Sequence, residues 1–110
     1  MNSMIAAMAL AIILATNVAY AASTEAGREA YVKNGCWQCH GFVGQGGSAG
    51  PKLAPDPKPL EFMAVFVRHT NGPMPPYSEK ILSADDLASI HAYLRSIPKS
   101  PDAKSIPLLN

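Results

Sequence analysis

Hydrophobic positions divide the chain into an apolar leader and three short amphipathic segments. Residues 1–24 carry no charged side chain, and residues 5–15 form an unbroken apolar run. Beyond the leader, apolar side chains recur at helical spacing in three places, and loops rich in Gly and Pro separate them. The pattern predicts an all-α fold with three main helices, because no strand pair or internal repeat stands out.

The first predicted helix begins at Ser23 or Thr24, since either side chain can cap a helix N-terminus. It ends at Asn34-Gly35, where glycine favours the left-handed conformation of a helix stop. Gly27 lies inside this helix at a cost of about 1 kcal/mol relative to Ala. We therefore expect another element to approach the backbone closely there. The predicted packing side consists of Ala26, Gly27, Ala30 and Tyr31.

Two more helices are predicted in the second half of the chain. One starts at about Pro59 and ends at the Asn-Gly-Pro sequence of residues 71–73. The other is capped by Ser83 and runs to about Ile97, where the following proline stops it. Their apolar stripes are Leu60, Met63, Ala64 and Val67 in the former, and Leu87, Ile90, His91, Leu94 and Ile97 in the latter.

The leader predicts export of a single small domain. A small-x-small cleavage signature at residues 19–21 follows the apolar run, so residues 1–21 are interpreted as a cleaved signal peptide. The segment before the run lacks Lys and Arg, and residues 4–22 are nearly long enough for an uncleaved membrane anchor, which is the alternative. The rest divides into one domain, residues 22–97, and a C-terminal tail, residues 98–110, expected to be extended with an apolar tip.

The charge balance argues against one class of partner. The chain has nine basic and eight acidic side chains, for a formal net charge of +1 at pH 7. Nucleic-acid binding is not expected, because it calls for a clear basic excess. Part of the 48% hydrophobic content lies in the leader, which leaves a modest core for so short a chain.

The strongest chemical signal is Cys36-Trp37-Gln38-Cys39-His40. Two thiols three residues apart, followed at once by an imidazole, form the C-x-x-C-H attachment pattern of a c-type haem. Cys36 and Cys39 are therefore predicted to bind one haem c covalently through its vinyl groups, with His40 as an iron ligand. Such a flat apolar cofactor fills the middle of a small domain, so we expect the haem-free chain to be poorly folded.

Other interpretations of the two cysteines are weaker. A redox dithiol of the thioredoxin type needs a βαβ context, which the pattern does not contain. A structural zinc site needs four ligands, and the chain could complete the set only with His69 and His91, at no recognisable spacing. A disulfide between the two cysteines would close a very small loop and stabilise the fold little.

Candidates for the second iron ligand are Met63, His69, Met74 and His91. Met63 and His91 lie on or near apolar helical stripes, where packing explains them. His69 lies near a helix end, where it can cap carbonyl groups. Met74 differs because prolines flank it in a loop, and rigid flanks can hold its sulfur against the iron at little entropic cost. We therefore predict Met74 as the second ligand. Met/His ligation raises the reduction potential of a haem and suits electron transfer.

Taken in order along the chain, four motifs resemble those of class I monohaem cytochromes c of bacteria. They are Cys36-Trp37-Gln38-Cys39-His40, Gly50-Pro51-Lys52-Leu53, Met74-Pro75, and the helix with Ile90, Tyr93 and Leu94. The resemblance implies a small all-α class I cytochrome c fold, with three main helices wrapped around one covalently bound haem. It also implies that Gly27 and Tyr31 cross the last helix near its three motif residues.

The same resemblance implies contacts around the haem. The carbonyl of Pro51 would accept a hydrogen bond from His40 Nδ1, and Leu53 would pack on the porphyrin. Tyr77 or Arg68 would face a propionate, and the sequence does not decide between them.

The expected function is one-electron transfer by a periplasmic protein that is not an enzyme. The implied partners are a dehydrogenase as donor and an oxidase or another cytochrome as acceptor, with no membrane span in the mature chain. Trp37 is expected either in the docking surface or packed against the first helix or the haem rim. A fixed subunit of a periplasmic dehydrogenase, docked through the tail, is the alternative. An enzymatic or gas-binding role is a third hypothesis and requires an open position on the iron.

Overall fold

The structure is a computed structural model and describes residues 23–110. Within that range it contains four α-helices and no strand, which confirms the predicted all-α class. The helices are α1 (described from residue 23 to 33), α2 (Trp37–His40), α3 (Leu60–Phe66) and α4 (Ala84–Ser96), and the tail adds two single-turn 3-10 helices (Ala103–Ser105 and Pro107–Leu109). The predicted signal peptide, residues 1–21, lies outside the described residues. Among residues 23–110, no helix has the length and hydropathy to cross a membrane.

Helices α1 and α4 cross with their backbones in close contact. A Cβ atom placed on Gly27 would overlap the carbonyl oxygen of Ser89 and lie 2.9 Å from the Cβ of Tyr93. This confirms the expectation that Gly27 lets another element approach, and that element is α4. At the same crossing the rings of Tyr31 and Tyr93 pack with centroids 5.6 Å apart and planes tilted by 59°.

The core of the domain is small. Its buried apolar residues are Ala30, Tyr31, Ala54, Val67, Leu82, Leu87, Ile90, Tyr93 and Leu94. Ala26 was assigned to the packing side of α1 but is exposed, which corrects the prediction. Residues 27, 30 and 31 span about 100° of the helix surface, and Ala26 lies about 40° outside this span, next to Ala30 at the edge of the packing face.

α3 is shorter than the sequence suggested, because it ends at Phe66, before the predicted Asn-Gly-Pro stop. The N–H groups of Arg68 and His69 bond to carbonyls three residues back, at 3.3 and 3.1 Å. The carbonyl of Val67 accepts a hydrogen bond from the distant N–H of Tyr77 at 2.8 Å. In a continuing helix the carbonyl of Val67 would accept a hydrogen bond from the N–H four residues later. The helix ends here because this carbonyl is bonded to Tyr77 instead.

The limits of α4 agree with the prediction. The hydroxyl oxygen of Ser83 accepts a hydrogen bond from the N–H of Asp86 at 3.1 Å, and the helix ends one residue before Ile97. The half-buried His91 on its apolar side has Nε2 3.1 Å from the carbonyl oxygen of Lys58. His91 therefore ties the proline-rich connector that precedes α3 to α4.

The tail is not extended, which corrects another prediction. The Asp102 carboxylate accepts a hydrogen bond from the N–H of Lys104 at 3.0 Å and begins the first 3-10 turn. The side-chain amide of Asn110 lies 3.0 to 3.3 Å from three carbonyl oxygens, those of Ala103, Lys104 and Ile106. These short-range bonds from side chains to the backbone shape the tail, and hydrophobic periodicity does not reveal them.

Gly27→Ala is expected to lower the free energy of unfolding of the mature protein by about 2–3 kcal/mol, because the added methyl group forces α1 away from Ser89. In an open helix the same change would stabilise by about 1 kcal/mol. Denaturant unfolding measures the difference. Gly47→Ala is the control, since a Cβ there meets no atom within 4 Å, and its effect should stay under about 0.5 kcal/mol. Equal stability of Gly27→Ala and the unsubstituted protein would contradict the described crossing.

Candidate functional site

The Cys-x-x-Cys-His segment forms α2, directly after α1. Gly35 makes the turn between them with a φ of 74°, a conformation that glycine adopts without strain, so the predicted helix stop is confirmed. The N–H of Cys36 bonds to the carbonyl of Tyr31 at 3.2 Å, and the N–H of His40 bonds to that of Cys36 at 3.0 Å. α2 is a single turn, too short for a periodic pattern to predict.

The two thiols of α2 lie in different surroundings. Cys36 is half-buried and packs against the core, whereas Cys39 is exposed, and no disulfide joins them. Burial raises the pKa of the Cys36 thiol to about 11. Cys36 therefore stays protonated at neutral pH in the haem-free polypeptide, among apolar side chains that suit the rim of a porphyrin.

His40 is buried, with 7% of its surface exposed, and its ring is held in one orientation. Nδ1 lies 2.7 Å from the carbonyl oxygen of Pro51. Because a carbonyl can only accept, Nδ1 carries the proton and Nε2 keeps its lone pair. A Cβ on Gly50 would lie 3.2 Å from His40 Cε1 and 2.9 Å from the carbonyl oxygen of Cys39, so glycine permits this close approach. The arrangement leaves Nε2 available to a metal ion.

Two tyrosines from the helix crossing hold the start of the glycine-rich segment that follows α2. The hydroxyl of Tyr31 donates to the carbonyl of Gly41 at 2.7 Å, and that of Tyr93 donates to the carbonyl of Phe42 at 3.0 Å. Burial raises the pKa of Tyr31, so its hydroxyl stays a donor throughout the physiological range. Periodicity places both rings on apolar faces but does not reveal what the hydroxyls bind.

Residues 68–76 form a closed loop, termed the Met74 loop. Its ends are joined by the N–H of Tyr77, which bonds to the carbonyl of Val67 at 2.8 Å, and by Arg68 Nη1, which donates to the carbonyl of Tyr77 at 2.9 Å. Met74 is half-buried and packs against the core, although its immediate neighbours in the loop are exposed. The loop thus turns the Met74 side chain inward.

The hydroxyl of Tyr77 lies at the thiol end of the site. It donates to the carbonyl of Asn34 at 2.7 Å, just before the Cys-x-x-Cys-His segment. Burial raises the pKa of Tyr77, and the negative charge of the nearby Cys36 and Cys39 sulfurs, once these ionise, raises it further. The vinyl groups and the propionates occupy opposite edges of a haem, and the single hydroxyl hydrogen is committed to Asn34. The hydroxyl of Tyr77 is thus engaged by the backbone beside the attachment segment, and its expected contact with a propionate stays a prediction.

The other candidate iron ligands, and the predicted haem contact Leu53, differ in burial and in hydrogen bonding. Met63 is half-buried in α3 and packs against the core, as does Leu53. His91 is engaged by the backbone of Lys58, and His69 is exposed. Over residues 23–110, no three Cys, His, Asp or Glu side chains come together as a metal-binding group. The zinc interpretation therefore has no structural support.

Two aromatic side chains form a surface that the sequence did not reveal. Trp37 stacks on Phe42 with ring centroids 4.6 Å apart and planes only 10° apart. Phe42 is 61% exposed and lies in a loop without periodic signal. Trp37 is the first residue of α2, and it is half-buried and packs against the core, so the ring of Phe42 is the exposed part of the stack.

The residues present fit a covalent haem. Two unpaired thiols at the attachment spacing, an imidazole with a free nitrogen and an inward-turned methionine are the donors that a c-type haem needs. Around the buried core lie half-buried apolar side chains, which another apolar body would cover. They include Leu53, Leu60, Met63, Ala64, Met74 and Ile97.

The sequence is similar to those of known cytochromes. Residues 22–94 match the family model described as cytochrome c oxidase, cbb3-type, subunit III. The cytochrome bc1 complex cytochrome c subunits of Corynebacterium diphtheriae and Corynebacterium efficiens are 36% and 35% identical to this chain over 69 residues. Each alignment covers 60% of this chain but only 25% and 23% of the relatives, so the chain spans about a quarter of their length. No solved structure matches significantly.

The family match extends over well more than half of the chain and includes both cysteines, His40 and Met74. It confirms the resemblance that the four motifs indicated, and with it the covalent haem c cofactor at the Cys36 and Cys39 spacing. The chain therefore belongs to the c-type cytochromes, in the family described as cytochrome c oxidase, cbb3-type, subunit III, and this domain with its single haem-attachment motif is an electron-transfer domain.

Proposed function

We propose that this cytochrome is a one-electron carrier whose iron is bound by His40 on one side and Met74 on the other. The observation that carries the proposal is a His40 ring fixed by Pro51 at 2.7 Å, together with an inward-turned methionine on a loop with joined ends. The haem supplies reversible one-electron exchange when bound, and Met/His ligation raises its reduction potential.

The role of the polypeptide is to hold both iron ligands in the same position in the ferrous and the ferric state. The carbonyl of Pro51 orients His40, and Tyr77 and Arg68 fix the ends of the Met74 loop. Prolines on both sides of Met74 restrict the loop further. Ligands that keep one geometry need little rearrangement when the iron changes its charge, which favours rapid electron exchange.

Attachment and electron entry are proposed at the same edge of the site. Cys36 and Cys39 form the two thioethers, and Leu53 packs on the porphyrin. The exposed ring of Phe42, which stacks on the half-buried Trp37 of the same segment, offers an aromatic contact to a redox partner. An interface below about 1,200 Å² would suffice, as in other weak redox encounters.

The proposal places the mature protein in the periplasm. Residues 1–21 direct export and are removed, which leaves the cytochrome domain at residues 22–97 and the tail at residues 98–110. The partners are a dehydrogenase as donor and an oxidase or another cytochrome as acceptor. The relatives named as subunits of a bc1 complex support a partner within an electron-transport assembly.

Carbon monoxide distinguishes a carrier from a haem protein with an open iron site. It binds ferrous haem only at a free axial position, so we expect the visible spectrum of the reduced protein to stay unchanged at neutral pH when the gas is added. The oxidised protein should show the weak red absorption band typical of methionine-ligated ferric haem. A large spectral shift on adding the gas would reject Met/His ligation and favour the gas-binding hypothesis.

A fixed subunit of a periplasmic dehydrogenase is a second candidate function, and the shape of the tail favours it. The amide of Asn110 holds both 3-10 turns together, yet Leu108 and Leu109 are 95% and 64% exposed. A preorganised apolar tip loses little conformational entropy on docking. The tip is therefore suited to an apolar pocket of a permanent partner.

Deleting residues 105–110 should weaken such an association at least about tenfold, because the two leucines lose their apolar contacts, while the haem spectrum stays the same. Leu108→Ser with Leu109→Ser is the matched variant, since it keeps the bonds of Asn110 and should have the same effect. The measurement is the amount of dehydrogenase activity that co-purifies with the haem. Unchanged co-purification of both variants would exclude docking through the tail.

A further inference from the structure

Tyr77, the residue that follows the Met74 loop, makes three hydrogen bonds. Its N–H donates to the carbonyl of Val67 at 2.8 Å and its carbonyl accepts from Arg68 Nη1 at 2.9 Å, so its backbone is bound to the other end of the loop. Its hydroxyl donates instead to the carbonyl of Asn34 at 2.7 Å. In the described part of the chain, no other hydrogen bond leads from the Met74 loop or Tyr77 to a segment other than the end of α3.

The two arms of the Met74 loop differ in stiffness. Pro75 and Pro76 connect Met74 to Tyr77, and each proline ring fixes one backbone dihedral angle. On the other arm Gly72 is exposed, and a Cβ there would meet no atom within 4 Å. Glycine has the widest choice of backbone conformations, so the chain can give way at that point. A displacement of Met74 is therefore transmitted to Tyr77 through the proline arm.

The carbonyl that accepts the Tyr77 hydroxyl is itself held in place. The backbone N–H and the side-chain amide of Asn34 both donate to the carbonyl of Ala30, at 3.0 and 2.8 Å. Asn34 directly follows α1, and Cys36 comes two residues later. The hydroxyl of Tyr77 thus connects the loop of the proposed iron ligand to a fixed point beside the segment that attaches the haem.

We propose that Tyr77 is a positioning residue whose hydroxyl, bonded to Asn34, keeps the sulfur of Met74 on the iron, an inference that rests on the proposed ligation by Met74. For Met74 to leave the iron, its loop has to move outward, and the proline arm carries this movement to Tyr77, so that the bond to Asn34 breaks. Loss of the ligand therefore costs the free energy of that hydrogen bond as well. Burial raises the pKa of Tyr77, so its hydroxyl remains a donor throughout the physiological range.

Titration of the oxidised, haem-loaded protein with imidazole tests the role of the hydroxyl. Imidazole binds the ferric iron only where Met74 has left it, so its apparent affinity rises with the fraction of protein whose ligand is displaced. Tyr77→Phe removes the hydroxyl and keeps the ring. The apparent affinity, followed by loss of the red band, should rise several-fold, up to about tenfold, which is the range that the net free energy of one hydrogen bond allows. Tyr77→Leu should show the same rise if the phenylalanine variant does not mature.

Tyr93→Phe is the matched control. It also removes a hydroxyl that supports the attachment segment, through the carbonyl of Phe42 at 3.0 Å, but this bond does not involve the Met74 loop. Both phenylalanine variants should lower the free energy of unfolding, and only Tyr77→Phe should bind imidazole more tightly. An unchanged affinity of Tyr77→Phe would overturn the proposal, and so would an equal rise in both variants, because general loosening would then explain it.

The red band of the unsubstituted protein tests the ligation by Met74 separately. If that band is present while Tyr77→Phe binds imidazole no more tightly, the carrier function stands and only the role of Tyr77 is rejected. If the band is absent, Met/His ligation itself is rejected, and the positioning role of Tyr77 is rejected with it.

Discussion

Met74→Ala is expected to turn a cytochrome that excludes carbon monoxide into one that binds it. The change removes the proposed second ligand and leaves one axial position of the iron open to small molecules. The red band of the oxidised protein should disappear, and the reduced protein should give a strong spectral shift with the gas. The midpoint potential should fall by more than about 59 mV, the one-electron equivalent of a tenfold change in equilibrium, because thioether ligation raises the potential.

Met63→Ala is the matched control for this experiment. Met63 is also half-buried and packs against the same core, so its truncation removes the same atoms from similar surroundings. It should lower the free energy of unfolding by about 2 kcal/mol while the red band and the exclusion of carbon monoxide persist. If the two variants behaved the opposite way, Met63 would be the ligand and the inward turn of the Met74 loop would have another cause.

Local signals in the sequence are enough to predict α4, the end of α1 and the attachment of haem. Ser83 caps α4 through the N–H of Asp86, and Gly35 stops α1 with a positive φ, as their residue types indicate. The two cysteines and His40 identify the cofactor because the chemistry of attachment, rather than the fold, dictates their spacing. Gly27 indicates the crossing of α1 and α4. A glycine inside a helix is unfavourable, and it is therefore expected where a neighbouring backbone approaches too closely for a side chain.

Hydrogen bonds between residues far apart in the chain could not be predicted from the sequence. α3 ends just before Val67, whose carbonyl accepts a hydrogen bond from the N–H of Tyr77. This bond joins the two ends of the Met74 loop, so it has no local signal in the sequence. The hydroxyl of Tyr77 reaches the carbonyl of Asn34, 43 residues earlier in the chain. Periodicity identifies the face of a helix, but it does not identify bonds from side chains to a remote backbone.

Three tyrosine hydroxyls hold the attachment segment at both of its ends. Each donates to a backbone carbonyl, in the pairs Tyr77 to Asn34, Tyr31 to Gly41 and Tyr93 to Phe42, at 2.7 to 3.0 Å. The donors come from α1, from α4 and from the residue that follows the Met74 loop, so three separate parts of the domain hold this segment. The polypeptide is thus arranged around α2, where the haem is attached, rather than around a large core of its own.

The double variant Cys36→Ser, Cys39→Ser is expected to lose cooperative folding along with covalent haem. Within residues 23–110 the buried apolar core consists of nine residues, two of which are alanine, and the apolar side chains packed against it are only partly buried. A small domain with so little buried apolar surface is marginally stable at best. Mass spectrometry of protein matured in a competent host should show the bare polypeptide mass, and circular dichroism should show no sharp thermal transition.

The variant Cys39→Ser separates the covalent bond from the presence of the haem. It keeps the half-buried Cys36, so it should retain haem through one thioether and unfold cooperatively at a lower temperature than the unsubstituted protein. A double variant stripped of all haem that still melted cooperatively would show that the nine-residue core suffices. The haem would then bind to a fold that forms without it. The partial burial of the apolar side chains packed against the core would need a different explanation.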